Sequence, residues 1–461
     1  MSTPAVSARR REEIIAALRR GTVPSHGLDQ LAVGLERFQG ALGEDLDRVA
    51  QGGFAVKAVR GEYGSGKTFF TRHLAEQALQ RGFAAAEVQI SESETPLHRL
   101  ETIYRRITES LRTASTQSSA FRSVLDSWLF ALEDDALLGD PGLESDAARL
   151  SESVGVLLNE RLAAVTATTP AFAQALRGYH AGTTAGDAAL ADGLAAWLAG
   201  QPHVAAAAKR AAGIKGDLDH FGAMSFLQGL LAVLRDAGHP GLVVVLDEVE
   251  TLQRMRSDVR DKALNALRQL MDEIDAGRYP GLYLVLTGTP AFFDGPSGVQ
   301  RLPPLAQRLA TDFTTDARFD NPRAVQIRLT GFDRSSLVQV GQRVRDLYAL
   351  GRDTEPRIRS RADDEYLVDL AGAVTGGLGD RVGIAPRLFL KKLIGDVLDR
   401  IDLFDDFDPR RDYRLTVTAA ERTEAGGARS AAGSGAGSGE AGGGTATQRA
   451  AADANDVDLD V

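Results

Sequence analysis

The sequence of 461 residues contains no cysteine and only seven histidines. The first absence excludes disulfide bonds, iron–sulfur clusters and thiolate zinc sites, because each of these needs cysteine sulfur. The histidines are scattered, and no two of them have the H-x-H or H-x-x-x-H spacing that directs two imidazoles to one metal ion. A metal site built from histidines is therefore not expected.

Long apolar runs are missing as well. No stretch approaches the roughly 18 consecutive apolar residues that a membrane-spanning helix needs. The beginning of the chain, MSTPAVSARR, lacks the apolar core of a signal peptide. We therefore expect a cytoplasmic protein without membrane contacts. Apolar residues form 43% and charged residues 25% of the chain, which is ordinary for a globular protein of two or three domains.

Positive charge is also scarce, since 63 acidic residues outnumber 53 basic ones and the formal net charge is −10. This balance argues against a generally basic nucleic-acid surface, although it leaves open a local basic patch such as the arginines of residues 357–361. Only seven of the basic residues are lysine. One of these lysines lies in a glycine-rich segment that contains the most specific motif of the chain.

That segment is RGEYGSGKTFF, residues 60–70, and it follows a short strand predicted over residues 54–59. It satisfies G-x-x-x-x-G-K-[ST], the P-loop or Walker A pattern. Glycines let the backbone curl around phosphate oxygens, and the helix predicted over residues 69–81 adds the positive end of its dipole. Lys67 is expected to contact the β- and γ-phosphates of ATP, and Thr68 is expected to bind Mg²⁺. The predicted nucleotide-binding residues are Gly61, Gly64, Ser65, Gly66, Lys67, Thr68 and Phe69.

A second stretch, GLVVVLDEVETL, supplies the acidic part of a nucleotide site. Its continuous apolar run is typical of a central parallel strand, which is buried on both faces and ends where ligands bind. As a Walker B aspartate, Asp247 is predicted to hold Mg²⁺ through water. Glu248 is predicted to orient and polarise the attacking water. Glu250 is interpreted as structural rather than catalytic.

Three later stretches contain further polar candidates. The stretch LYLVLTGTPAFFDG predicts a strand that ends at Thr287, our first choice for a polar residue beside the Walker B strand, with Thr289 as the second. The stretch RLPPLAQRLATDF contains Arg308, with Arg301 as its rival. The stretch GIAPRLFLKKLIGDVLD begins a predicted helix near Arg387.

The order of these elements resembles that of AAA+ ATPases, most closely the branch with origin-recognition and STAND-like proteins. This resemblance implies that Thr287 is a sensor 1 residue and that Arg387 is a sensor 2 arginine for the γ-phosphate of its own chain. It also implies that Arg308 is an arginine finger for the ATP of a neighbouring subunit. These three residues are therefore predicted to act in catalysis together with Lys67 and Glu248.

Within residues 9–407, four stretches together resemble the BrxD-type family of BREX ATP-binding proteins, which belongs to bacterial phage-defence islands: RGEYGSGKTFF, AAEVQISESETPLHRLETIYRR, GLVVVLDEVETLQR and LTGTPAFFDG. This resemblance implies an ATPase that works beside other defence-system proteins, a helicase among the candidates. We expect a homo-oligomer or an assembly with such partners. Origin-recognition relatives also carry a winged helix after the lid, and fewer than about twenty residues are left for it here. Intrinsic DNA binding is therefore not supported.

The predicted fold class is α/β, with an AAA+ type P-loop core, a large helical insertion and a helical lid domain. The core is expected to contain a parallel sheet of about five strands with flanking helices, the strands lying at residues 54–59, 84–90, 241–247, 281–287 and 325–329. The predicted divisions are N-terminal helices at 1–50, the P-loop start of the core at 51–95, the insertion at 96–234, the remainder of the core at 235–332, the lid at 333–417 and a disordered tail at 418–461. The N-terminal helices are predicted at residues 12–20 and 28–48, and the tryptophans 128 and 197 are predicted to lie in a helical core.

These observations favour an enzyme that binds ATP with Mg²⁺ and hydrolyses it. One alternative is a nucleotide-dependent binding switch with negligible turnover, and another is an ATPase that loads or remodels DNA. The intact pair of Asp247 and Glu248 favours hydrolysis over the switch. The acidic balance and the missing winged helix argue against the DNA enzyme.

Overall fold

Five short strands form one sheet in the computed structural model, which describes residues 7–377 and 385–416. The strands are β1 (Ala55–Arg60), β2 (Ala84–Gln89), β3 (Leu242–Asp247), β4 (Leu282–Gly288) and β5 (Gln326–Arg328). Their order is β2-β3-β4-β1-β5, and every neighbouring pair is parallel. The prediction of a parallel sheet of about five strands is thus confirmed. The predicted tail at residues 418–461 lies outside the described residues.

Two helices precede the sheet, α1 (Ala8–Arg19) and α2 (Glu36–Ala50). The prediction of one helix over residues 28–48 was wrong in its first part. There the chain forms a 3-10 turn at Leu28–Gln30, between Gly27 and Gly34, whose φ angles are 73° and 74°. Glycine adopts such left-handed angles easily, and they interrupt a right-handed helix.

Helices fill the long connection between β2 and β3. After α3 (Lys67–Gln80), which follows β1, come α4 (Leu100–Ser110), α5 (Phe121–Gly139), a 3-10 turn (Pro141–Ser145), α6 (Ala147–Arg161), α7 (Ala163–Thr168), α8 (Pro170–Thr184), α9 (Ala188–Leu198), α10 (Ala206–Ala211) and α11 (His220–Asp236). Trp128 and Trp197 are buried in the core of these helices, as predicted. Their indole N–H groups donate to the Asp236 carboxylate at 2.7 Å and to the Gly216 carbonyl at 3.1 Å.

The remaining helices surround the later strands and form the C-terminal part of the described chain. They are α12 (Ser257–Asp275), α13 (Pro290–Asp294), α14 (Pro303–Arg308), α15 (Arg334–Ala349), α16 (Glu355–Arg361), α17 (Asp364–Gly377), α18 (Ala385–Lys392), α19 (Asp399–Leu403) and α20 (Pro409–Asp412), with a π-helical segment at Leu393–Leu398 and 3-10 turns at Val249–Arg254, Val299–Arg301 and Ala317–Phe319. Helix α1 packs with this group, since Arg19 donates two hydrogen bonds of 2.7 Å to the Asp399 carboxylate. Across the described ranges, no helix combines the length and the apolar character that crossing a membrane requires.

Strand β3 separates two apolar cores, because successive residues of a strand point to opposite faces of the sheet. Val243 and Val245 belong to the core that includes residues of α2 and α3. Leu242, Val244 and Leu246 belong to the larger core that includes the helices between β2 and β3. Burial on both faces explains why this strand is continuously apolar.

The strand order also determines which residues meet at the carboxyl edge of the sheet. Strand β4 lies between β1 and β3, and Thr287 near its end pairs in register with Val59 of β1. On the far side of β3, Gln89 of β2 is in register with Asp247. The P-loop and the acidic end of β3 are therefore separated by the width of one strand.

Candidate nucleotide site

The turn between β1 and α3 contains the glycine-rich motif. Gly64 and Gly66 have φ angles of 77° and 92°, which side chains rarely tolerate. At Gly61, a Cβ atom would lie 2.2 Å from Ser65 Oγ and 3.3 Å from the Leu329 carbonyl oxygen. The motif glycines are therefore required by the shape of the loop itself.

Lys67 begins α3, and its side chain is only 8% exposed. Its Nζ donates to the carbonyl oxygens of Gly61 at 2.9 Å and Glu62 at 3.2 Å, so the ammonium closes the loop onto itself. Burial lowers the pKa of Lys67, while the nearby carboxylates, Glu250 foremost, act to raise it. The loop therefore contains a largely desolvated positive charge, which interacts more strongly with anions than an exposed one does.

Thr68 and Asp247, the two predicted metal ligands, are in direct contact. Thr68 Oγ1 donates to Asp247 Oδ2 at 3.0 Å across a sequence separation of 179 residues. The other carboxylate oxygen of Asp247 accepts a hydrogen bond from the Thr287 hydroxyl. Of the two threonines considered for the end of β4, Thr287 is thus the one whose hydroxyl reaches the acidic site.

Glu248 has an unusual backbone conformation, with φ 60° and ψ 41°. This left-handed conformation is strained for a residue other than glycine, and such strain is often found at functional sites. Its N–H donates to Thr287 Oγ1 at 3.0 Å and to Asp247 Oδ1 at 3.1 Å. The hydroxyl of Thr287 therefore connects the two acidic residues.

Gln89 is a contact of the acidic pair that the sequence did not reveal. Its Nε2 donates to Glu248 Oε2 at 3.0 Å. It is the last residue of β2, and β2 is the other neighbour of β3. A polar residue at the carboxyl end of an adjacent predicted strand was the available signal, but the strand order was needed to interpret it.

The other predicted nucleotide-binding residues lie on or beside the loop. Ser65 is buried, and its Oγ has no hydrogen-bond partner among the residues that the structure describes. Phe69 is half-buried and stacks on the imidazole of His73, with ring centroids 6.3 Å apart. Glu250, interpreted from the sequence as structural rather than catalytic, is buried with its carboxylate 3.9 Å from Lys67 Nζ, and burial raises the pKa of its carboxyl group.

The three candidate arginines lie in other contacts. Arg308 forms ion pairs with Asp272 and Asp275 of α12. Its rival Arg301 forms an ion pair of 2.9 Å with Asp261 of the same helix. Arg387 is exposed at the start of α18, where its Nε lies 3.3 Å from the position that a Cβ atom on Gly21 would take.

The arginines of residues 357–361, considered above as a phosphate-binding patch, are engaged within the chain. Arg357 forms an ion pair with Asp405. Arg359 binds the carboxylates of Asp346 and Glu355. Arg361 donates to the carbonyl oxygens of residues 405 and 407, each at 2.8 Å. All three arginines thus have partners within the chain.

The parallel sheet, the glycine-rich turn before α3 and the contact between Thr68 and Asp247 are consistent with the fold of P-loop ATPases. A family model described as BREX system ATP-binding protein BrxC/D matches residues 6–417, and the chain belongs to this family. The resemblance to BREX ATP-binding proteins is thereby confirmed, and membership supports an ATP-binding role in a defence system. Among curated proteins no match to the chain was found.

Proposed function

We propose that this chain is a Mg²⁺-dependent ATPase of AAA+ type that serves a BREX defence system. The main observation in its favour is the hydrogen bond of 3.0 Å between Thr68 Oγ1 and Asp247 Oδ2. Two motifs that are far apart in the chain meet there, with a hydroxyl from one and a carboxylate from the other. Mg²⁺ sites of nucleotide-hydrolysing P-loop proteins use this pair of groups.

The residues at the site suit magnesium and phosphate. Mg²⁺ prefers oxygen ligands and is usually held by one or two carboxylates together with phosphate oxygens, and Thr68 and Asp247 offer oxygen atoms. The Ser65 hydroxyl is buried without a hydrogen-bond partner among the described residues, and a phosphate oxygen would satisfy it. When bound, Mg²⁺ would neutralise part of the charge on the phosphates.

Hydrolysis would depend on Glu248 and on the residues that position it. Its carboxylate is the proposed acceptor for a proton of the attacking water. Gln89 holds this carboxylate through a neutral amide, so the hydrogen bond does not cancel its negative charge. Thr287 binds both the Asp247 carboxylate and the Glu248 N–H, and its place on β4 beside β3 suits a sensor 1 residue.

The assignments of Arg387 as sensor 2 and Arg308 as a finger acting in trans belong to the same proposal. So do the helical insertion at residues 96–234, the lid at residues 333–417 and a working assembly with further copies or other defence proteins. In such an assembly, nucleotide state would be coupled to the contacts between subunits. Arg308 would have to leave Asp272 and Asp275 in order to reach a neighbouring site.

Two substitutions test the proposed reaction. Lys67→Ala should lose most ATP affinity, because the charge that meets the β- and γ-phosphates is removed. Glu248→Gln should retain ATP binding and slow hydrolysis by orders of magnitude, because the water loses its proton acceptor. Binding is measured by calorimetry and turnover by phosphate release, with Lys215→Ala as a control that removes an exposed lysine.

Measurements of ATP binding and turnover on these variants and on the wild type, with and without double-stranded DNA, also distinguish the three functions considered. Hydrolysis by Glu248→Gln at the wild-type rate would contradict the proposed role of this residue. Wild-type protein that binds ATP without turnover, even with its defence partners present, would be a binding switch. Turnover that requires double-stranded DNA would indicate an enzyme that loads or remodels DNA.

A further inference from the structure

Glu250 is a buried carboxylate that the proposed reaction does not use. It lies in the 3-10 turn Val249–Arg254 after β3, and it is only 4% exposed. Neither of its carboxylate oxygens has a hydrogen-bond partner among the described residues. A buried carboxylate without hydrogen bonds is costly, because it has lost water without gaining a donor. Such a group therefore requires a specific explanation.

Glu250 forms an ion pair with the P-loop lysine. Its Oε1 lies 3.9 Å from Lys67 Nζ, close enough for a strong electrostatic interaction but too far for a hydrogen bond. The hydrogen bonds of Nζ go instead to the carbonyl oxygens of Gly61 and Glu62. Glu250 therefore acts on Lys67 through electrostatic attraction rather than through a hydrogen bond.

Both groups are largely out of water, and this increases the effect of the charge. The side chains of Lys67 and Glu250 are 8% and 4% exposed. Solvent and salt screen a pair of this kind much less than a pair at the surface. A nucleotide that brings phosphate charge to Lys67 would meet the negative charge of Glu250 at short range.

We propose that Glu250 is a positioning residue that competes with nucleotide phosphates for the charge of Lys67. In the nucleotide-free protein its carboxylate attracts the ammonium toward the 3-10 turn after β3. With nucleotide bound, the same charge repels the phosphates and weakens binding, most strongly for the nucleotide with the most phosphate charge near Lys67. This inference rests on the proposed function, because it requires that Lys67 binds phosphates.

The test compares nucleotides that differ in phosphate number. Dissociation constants for ATP, ADP and AMP are measured by calorimetry at about pH 8, well above the ordinary range of carboxyl groups. Glu250→Gln should bind ATP roughly tenfold more tightly than the wild type, ADP less so, and AMP with unchanged affinity. Glu250→Met, which is also uncharged and similar in length, should give the same order of affinity gains, largest for ATP, smaller for ADP and absent for AMP. Glu152→Gln makes the same chemical change on an exposed face of α6 and serves as the matched control.

A second measurement separates this role from a merely structural one. Removing the charge of Glu250 breaks no hydrogen bond, because its carboxylate has none among the described residues and Lys67 Nζ keeps those to the carbonyl oxygens of Gly61 and Glu62. The melting temperature of nucleotide-free protein should therefore stay unchanged or rise, whereas replacing a carboxylate that holds the fold together would lower it. In a Lys67→Ala background, measured with millimolar ATP, Glu250→Gln should give no gain in affinity. A gain that persists without Lys67 would overturn the proposed competition.

The outcomes also distinguish this inference from the proposed function. Wild-type protein that binds no ATP would overturn the proposed function, and this inference with it. Wild-type protein that binds ATP, with Glu250 variants that leave the ratio of ATP to AMP affinity unchanged or reduce it, would overturn the inference alone. Tighter ATP binding in both Glu250 variants, with AMP unchanged and no gain without Lys67, is the expected result.

Discussion

Replacing Thr287 by valine tests whether its hydroxyl holds the acidic pair in place. Thr287 is fully buried near the end of β4. Valine has the same branched shape, so the main change is the loss of one hydroxyl group. This hydroxyl donates to the Asp247 carboxylate and accepts from the Glu248 N–H at 3.0 Å. The substitution therefore removes two hydrogen bonds from the centre of the site.

The size of the effect follows from these two bonds. A hydrogen bond to a charged group contributes about 1.5–3 kcal/mol to stability. The second loss is smaller, because the Glu248 N–H retains Asp247 Oδ1 as an acceptor at 3.1 Å. We expect the free energy of unfolding to fall by about 2 kcal/mol. Turnover should fall on the order of 100-fold, since Glu248 would no longer be held in its left-handed conformation.

Urea unfolding and steady-state ATP hydrolysis measure the two effects. Thr289→Val is a matched control, because Thr289 is also buried and lies two residues beyond Thr287 in the sequence. Thr287→Ser retains the hydroxyl and should retain most of the turnover. If Thr287→Val keeps the turnover and the unfolding free energy of Thr289→Val, the reasoning about this hydroxyl is refuted.

Two further predictions concern an arginine and a histidine. Arg308→Ala should bind ATP normally but hydrolyse it poorly, and mixing it with Glu248→Gln should restore turnover, because a mixed interface pairs the two intact residues. The double variant Asp272→Asn/Asp275→Asn breaks the ion pairs of Arg308 but should hydrolyse ATP at the wild-type rate. If this double variant lost as much turnover as Arg308→Ala, the role of Arg308 would be to hold the structure rather than to act in hydrolysis. Burial lowers the pKa of His73, so the unfolded chain binds a proton more readily and the fold should lose up to about 1 kcal/mol as the pH falls from about 7.5 to 5.5. Urea unfolding at the two pH values should show a smaller loss of unfolding free energy for His73→Gln than for the wild type. An equal loss in both proteins would contradict the assignment of this pH dependence to His73.

Local patterns in the sequence were sufficient to predict the strands and the P-loop. The apolar run of β3 indicated a strand buried on both faces, and the structure has it there. The spacing from Gly61 to Thr68 indicated a tight loop before a helix, and the left-handed angles of Gly64 and Gly66 agree. These features are predictable because they depend on backbone conformation and side-chain alternation over a few neighbouring residues.

The same reasoning failed where local signals were misread or incomplete. A helix over residues 28–48 fitted the apolar spacing, but the positive φ angles of Gly27 and Gly34 interrupt it. The ion pairs of Arg308 with α12 carry no local signal, because they join residues more than 30 positions apart. The sequence identified these residues as arginine and glycine, but it did not reveal the backbone angles of the glycines or the ion-pair partners of the arginine.

The chemistry of the site was therefore determined by the sequence, and its connections were decided by the tertiary structure. Motif spacing identified Lys67, Thr68, Asp247 and Glu248 by residue type and by their positions at the ends of strands and helices. It did not indicate that Gln89 would bind Glu248, because that contact requires β2 to lie beside β3. Strand order depends on how the helices and strands pack around two shared cores, and distant residues contribute to that packing as much as neighbours do.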